Sequence, residues 1–123
     1  MKDEKPHNLR ERTKQFALDI IQLYSGLPKT TAAQVLGKQL LRSGTSVGAQ
    51  FREANRAKSD LDFISKIEGA LQELDETSYW LELLDESQTV ASKTIQAILA
   101  ETDELISVFV TIAKSTKQKI GKL

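Results

Sequence analysis

Apolar residues recur every three or four positions along four successive segments, and this spacing restricts the chain to a helical fold. Residues at that interval share one side of an α-helix, whereas a strand needs strict alternation, which no segment sustains. The turns are short, so consecutive helices should be antiparallel. The sequence predicts an all-α, up-down-up-down antiparallel four-helix bundle, in one domain over residues 1–123 with flexible ends at about 1–7 and 117–123.

Capping and helix-breaking residues give the predicted boundaries. Asn8 and Ser59 are residue types that cap helix N-termini, and Gly26 followed by Pro28 ends a helix. We therefore expect helices over residues 8–25, from 30 or 31 to 58, over 59–85, and from between 87 and 92 to about 119.

The stretch 42–48 of the second segment, RSGTSVG, is the least helix-favouring part of the chain. Gly44 and Gly48 each cost an isolated helix roughly 1 kcal/mol. One interpretation is a loop that divides the segment into two helices. The apolar spacing passes through Gly44 and Val47 without a change of phase, which favours one continuous helix whose small residues let a neighbouring backbone approach closely.

Two segments carry apolar residues away from their predicted core faces. The core face of the third segment is predicted to comprise Phe63, Ile67, Leu71, Leu74, Ser78 and Leu81. Trp80 lies well outside that face, and Leu83 lies farther round. Leu18 lies opposite the core face of the first segment, with Ile21 near it. Such residues are either partly exposed on a monomer or buried between subunits, and a Trp beside a Leu favours the protein–protein contact.

The 17 basic and 17 acidic side chains cancel, but they are unevenly distributed. Residues 1–58 hold 11 basic and 5 acidic side chains, 59–112 hold 2 and 12, and 113–123 hold 4 basic ones. Cations of the second segment form a stripe opposite its apolar face, continued by one more lysine: Lys38, Arg42, Arg52, Arg56 and Lys58. The stripe is either solvated, or faces phosphate, or faces the acidic segment of the same or another subunit. Zero net charge therefore indicates self-recognition first and does not exclude RNA or DNA.

Few residues here could support catalysis or bind a metal. The sequence has no cysteine, and its one histidine, His7, precedes the helices and cannot supply the Glu-x-x-His pairs of a di-iron bundle. We expect no enzyme, no cofactor, no metal and no small-molecule substrate. No apolar run reaches about 18 residues, and the charged N-terminus lacks a secretory signal, which predicts a cytoplasmic protein without membrane contact.

Two stretches resemble a known family. Residues 42–54 (RSGTSVGAQFREA), followed by 59–63 (SDLDF), and residues 66–84 (KIEGALQELDETSYWLELL) are similar to the small bacterial four-helix-bundle proteins called 23S rRNA-intervening sequence proteins. That family is related to the accessory protein of diversity-generating retroelements. The resemblance extends from about residue 9 to 115 and implies an up-down bundle that assembles as a pentameric ring, with no established activity.

The residues that carry the resemblance form no catalytic set and imply structural or assembly roles. They are Arg42, Ser43, Ser46, Gly48, Glu53, Phe63, Ala70, Glu73, Glu76, Thr77, Trp80 and Leu81. We expect Arg42 to pair with Glu73 or Glu76, within or between subunits. The predicted oligomer interface comprises Leu18, Ile21, Arg42, Glu73, Glu76, Trp80 and Leu83.

Two functions remain open on these residues. The first is a non-enzymatic, homo-oligomeric interaction scaffold that presents a surface to a protein partner. The alternative is an accessory protein that binds RNA or DNA through Lys38, Arg42, Arg52, Arg56 and Lys58.

Overall fold

The computed structural model describes residues 8–87 and 89–121, which form four α-helices. The helices are α1 (Leu9–Ser25), α2 (Thr31–Ala54), α3 (Asp60–Glu86) and α4 (Ser92–Gly121). Each helix packs closely against the next one along the chain, whereas α1 and α4 make far fewer contacts with each other. The predicted antiparallel four-helix bundle is confirmed.

Side-chain caps begin the first three helices. Asn8, Thr30 and Ser59 each accept a hydrogen bond from a backbone N–H two or three residues later, at distances of 2.8 to 3.3 Å. These bonds satisfy N–H groups that have no partner within the helix, and a cap of this kind contributes about 1 kcal/mol. The capping residues predicted at 8 and 59 are therefore confirmed.

Two helix ends differ from the predicted ones. α2 ends at Ala54 rather than near residue 58, because the backbone tightens: the N–H groups of Arg56 and Ala57 bond to carbonyl oxygens three residues back. α4 continues to Gly121, so the stretch expected to be flexible from residue 117 is helical as far as residue 121. The other predicted flexible positions, 1–7 and 122–123, lie outside the described residues.

α2 is continuous through its glycines, as the apolar spacing predicted. A Cβ atom added at Gly44 would lie 2.8 Å from Cγ1 of Ile20, and one added at Gly48 would lie 3.2 Å from Oγ1 of Thr13. Both glycines therefore face α1, and their lack of a side chain lets the two helices approach closely. The cost in helix propensity is offset by this packing.

Gly44→Ala is expected to lower the free energy of unfolding by about 1 kcal/mol. The added methyl group overpacks against Ile20, which costs about 1–3 kcal/mol. The better helix propensity of alanine offsets up to about 1 kcal/mol of this cost. Urea denaturation measures the change. Gly121→Ala is the control, because a Cβ there would meet nothing within 4 Å. A Gly44 variant as stable as this control would contradict the close packing.

The buried face of α3 agrees in part with the predicted one, since Ile67, Leu74 and Leu81 belong to both. Its buried positions are Ile64, Ile67, Ala70, Leu74, Thr77, Leu81 and Leu84. Phe63, Leu71 and Ser78, which were predicted at the core, are only partly buried. Thr77 packs against α2 in their place: its hydroxyl lies 2.8 Å from the hydroxyl of Ser43, and both residues are completely buried.

An aromatic stack connects two helices that are not neighbours along the chain. The rings of Phe51 on α2 and Phe109 on α4 lie 5.8 Å apart between centroids and are nearly parallel, at 13°. Phe109 is completely buried. The stack therefore crosses the centre of the bundle and joins its diagonal helices.

Candidate interaction surfaces

Arg42 pairs with both predicted acidic partners within one subunit. Its Nη2 atom donates to Oε1 of Glu76 at 2.5 Å, and its Nη1 atom lies 3.5 Å from Oε1 of Glu73. Both acidic residues project from α3 towards α2. Of the two arrangements that were open, the one within the chain is present.

Other ion pairs also connect basic and acidic segments across the bundle. They are Lys66 with Glu53 at 2.9 Å, Lys117 with Glu68 at 2.6 Å, and Lys119 with Asp60 at 3.6 Å. The last two bring lysines near the end of α4 onto α3. Part of the uneven charge is therefore neutralised inside the subunit.

The predicted basic stripe is divided. Lys38 and Arg52 lie on α2, but Arg56 and Lys58 follow its end and belong to the turn before α3, so the prediction of one helical stripe is wrong for these two. The early end of α2 is the cause. Apart from Arg42, none of these cations has a carboxylate within 4.0 Å among residues 8–87 and 89–121.

Arg52 lines a shallow groove between α1 and α2, together with a lysine that the sequence analysis did not single out. The groove has a volume of about 270 Å³ and is lined by Thr13, Lys14, Ala17, Thr45, Gly48, Ala49 and Arg52. Its floor is small because Gly48 packs directly on α1. Lys14 lies beside Arg52 because the packing of Gly48 on Thr13 brings the two helices together. The sequence pattern of either helix alone does not show this.

Exposed apolar residues lie on several sides of the bundle. Leu18 and Ile21 are 47% and 42% exposed, as their positions opposite the core of α1 predicted. Further exposed apolar residues that the sequence analysis did not select are Val35, Leu61, Tyr79 and Val110.

Trp80 is partly buried and packs against the core, which is compatible with the partly exposed position that was one of its two predicted alternatives. Its Nε1 atom is buried without a hydrogen-bond partner in the described part of the chain. Tyr79, whose ring centroid is 5.1 Å from that of Trp80, takes the exposed position, and Leu83 is partly buried.

The thin contact between α1 and α4 contains an ion pair that the sequence analysis also missed. Nε and Nη2 of Arg12 donate to the two carboxylate oxygens of Glu101 at 2.7 and 2.8 Å, and Nη2 also lies 2.6 Å from Glu104. The hydrogen bond to Glu101 raises the pKa of Arg12 above its ordinary value, with a smaller contribution from Glu104. No periodicity within either helix indicates this pair, since its members are 89 residues apart.

Two shallow grooves lie between α1 and α4, one beside this ion pair and one farther towards the end of α1. One, of about 540 Å³, lies between the end of α1 and the start of α4, and a smaller one, of about 240 Å³, includes Arg12 itself. α4 lines them with small residues, among them Ala97 and Ala100, which leave space beside α1.

Glu73 provides a pH-dependent test of the contact between α2 and α3. Burial raises the pKa of Glu73 above its ordinary value, although Arg42 opposes the shift. The folded state therefore keeps this proton to higher pH than the unfolded state does, and stability falls as the pH rises from the ordinary glutamate pKa through the raised one. Glu73→Gln should abolish this fall.

We expect Glu73→Gln to be as stable as the wild type or more stable at pH 7, with its advantage shrinking towards pH 3. Urea denaturation between these pH values measures the difference. Glu76→Gln is the matched control, because it removes the negative charge that pairs with Arg42 at the shorter distance and should cost about 0.2–1 kcal/mol at pH 7. An advantage of Glu73→Gln that grew towards acid would contradict the raised pKa.

Two further features are absent from residues 8–87 and 89–121. No three acidic or histidine side chains converge there in a way that could hold a metal ion. None of the four described helices has a sufficiently long and apolar stretch to span a membrane.

Comparisons with known proteins agree with this fold. Residues 6–111 match the family model described as 23S rRNA-intervening sequence protein. A crystal structure from Bacteroides thetaiotaomicron VPI-5482, described as a protein with unknown function from the S23 ribosomal protein family, is 38% identical with a TM-score of 0.82. The alignment covers 87% of this chain and 99% of that one. No curated protein matches the sequence.

Proposed function

The chain belongs to the 23S rRNA-intervening sequence protein family, and from its surface we propose that it is a non-enzymatic scaffold that assembles with copies of itself. The solved relative is described as having unknown function. The assembly would present a composite surface to a protein partner.

The observation that supports self-association is the combination of charge and apolar exposure on different helices. α1 and α2 carry cations without acidic partners in the described ranges, together with exposed Leu18 and Ile21. The outer side of α3 carries acidic residues together with exposed Leu61 and Tyr79. Complementary charge with apolar contact is what a protein interface uses for register and affinity.

The number of subunits that we propose is five, in a closed ring, and it rests on the family resemblance. Light scattering coupled to size exclusion at micromolar concentration tests the assembly. We expect a mass of several subunits of 13.7 kDa each. A mass of one subunit would overturn the proposal, and a multiple other than five would overturn only the ring size.

A second candidate function is nucleic-acid binding, which is favoured by Lys38, Arg52, Arg56 and Lys58, none of which has a carboxylate within 4.0 Å in the described ranges. If RNA or DNA binds there, affinity should fall steeply with salt, and Arg52→Ala with Arg56→Ala should reduce the slope of that dependence. A pull-down with and without nuclease separates the two functions. Retention of a protein partner after nuclease treatment supports the scaffold, and retention that depends on RNA supports nucleic-acid binding.

A further inference from the structure

We propose that copies of this chain associate head to tail, with the groove between α1 and α2 of one copy holding the acidic outer row of α3 of the next. The groove is the one flanked by Lys14 and Arg52, and the acidic row comprises Asp75, Tyr79, Glu82 and Glu86. This inference rests on the proposed self-association and adds the two surfaces that would meet.

The groove has the size and charge to take side chains of another protein. Its volume of about 270 Å³ is below the roughly 300–1,000 Å³ of small-molecule sites. Lys14 and Arg52 line it together with the small residues Ala17, Gly48 and Ala49. Neither cation has a carboxylate within 4.0 Å in the described ranges.

The acidic row is continuous along α3. Its members are spaced four, three and four residues apart, which places them on one side of the helix. Asp75, Glu82 and Glu86 are exposed, and Tyr79 between them is 54% exposed. Among residues 8–87 and 89–121, no cation lies within 4.0 Å of these three carboxylates.

The groove and the row lie on opposite sides of the bundle. Glu68 is seven residues before Asp75 on the same side of α3, and it pairs with Lys117 of α4 at 2.6 Å. The row therefore faces the α4 side of α3, away from α2 and the groove. Because the two surfaces differ, a contact between them is heterologous, and repeating it generates a ring or a filament.

A second copy fits both surfaces better than a nucleic acid does. RNA in the groove would neutralise Lys14 and Arg52 but would leave the acidic row and Tyr79 uncovered. A second copy neutralises the cations and the carboxylates in one contact and covers the exposed tyrosine.

Charge reversal tests this pairing. Lys14→Glu with Arg52→Glu should reduce the mass seen by light scattering from the assembly to one subunit, and Glu82→Lys with Glu86→Lys should do the same. All four changes in one chain should restore association, because the charges are then exchanged between the two surfaces. The matched control is Lys38→Glu with Lys58→Glu, which makes the same change in net charge outside the groove and should leave the mass unchanged.

The outcomes separate this inference from the proposed function. A monomeric wild type would overturn self-association itself. An oligomeric wild type whose mass survives the groove reversal would overturn only the head-to-tail contact, and loss of RNA retention in that variant would assign the groove to nucleic acid. Far-ultraviolet circular dichroism should match the wild type in each variant, since the reversed residues have no ion-pair partner in the described chain. A four-fold variant that is folded but monomeric would also overturn the pairing.

Discussion

Phe109→Ala is expected to lower the free energy of unfolding by about 3–5 kcal/mol. The ring is completely buried and stacks on Phe51 at 5.8 Å across the diagonal of the bundle. Removing it deletes apolar contacts with several helices and leaves a cavity at the centre that rigid helices fill poorly. Since whole domains are stable by about 5–15 kcal/mol, much of the total could be lost.

Urea denaturation of the two proteins side by side measures this loss. Val110→Ala is the matched control, because it shortens the next side chain of the same helix at a site that is 42% exposed. The control should change stability by no more than about 0.5 kcal/mol. A Phe109 variant that lost as little as the control would show that the two rings do not form the centre of the core.

The second large effect is expected at the contact between α1 and α4. Arg12→Met keeps the apolar stem but removes a guanidinium that bonds to Glu101 and Glu104, and the side chain of Arg12 is only 14% exposed. Hydrogen bonds to charged groups contribute about 1.5–3 kcal/mol, so we expect a loss of about 2–3 kcal/mol. Hydrogen exchange should show the greatest loss of protection in α1.

Two variants accompany this measurement. Arg10→Met makes the same chemical change two residues earlier on an exposed part of α1 and should be nearly neutral. Glu101→Gln combined with Arg12→Met should cost less than the two single losses added together, because both remove the same interaction. If the loss of stability in the double variant equals the sum of the two single losses, the pair contributes little to the contact between the two helices.

The architecture was predictable from the sequence because it depends on short-range patterns. Spacing of three and four residues gives the helices, and side-chain caps such as Ser59 give their beginnings. Even the continuity of α2 through Gly44 could be predicted, since the apolar phase is kept there. The end of α2 was missed because a tightening of the backbone at Arg56 leaves no mark in the apolar pattern.

The candidate surfaces were less predictable because they depend on how helices turn towards each other. Trp80 follows Thr77 by three residues on α3, so the packing of Thr77 on Ser43 of α2 brings Trp80 to the edge of the buried side, which the periodicity of α3 alone does not show. Lys14 becomes part of the groove through α2, and Arg12 becomes part of an ion pair through α4, so neither can be recognised from α1 alone. By contrast, Arg42 and its acidic partners could be predicted, since the motif places all three on adjacent helices.

The slight contact between α1 and α4 also has a consequence for how fast the chain folds. Apart from the contact between α1 and α4 and the stack of Phe51 on Phe109, the packing joins helices that follow one another along the sequence. The loops that must close before each contact forms are therefore short, and their entropic cost is low. Helical bundles with such local contacts fold in microseconds to milliseconds, and we expect this subunit to fold in that range. The pairing of Arg12 with Glu101, which spans 89 residues, would then form after the main folding barrier, so its loss would speed unfolding with little change in the folding rate.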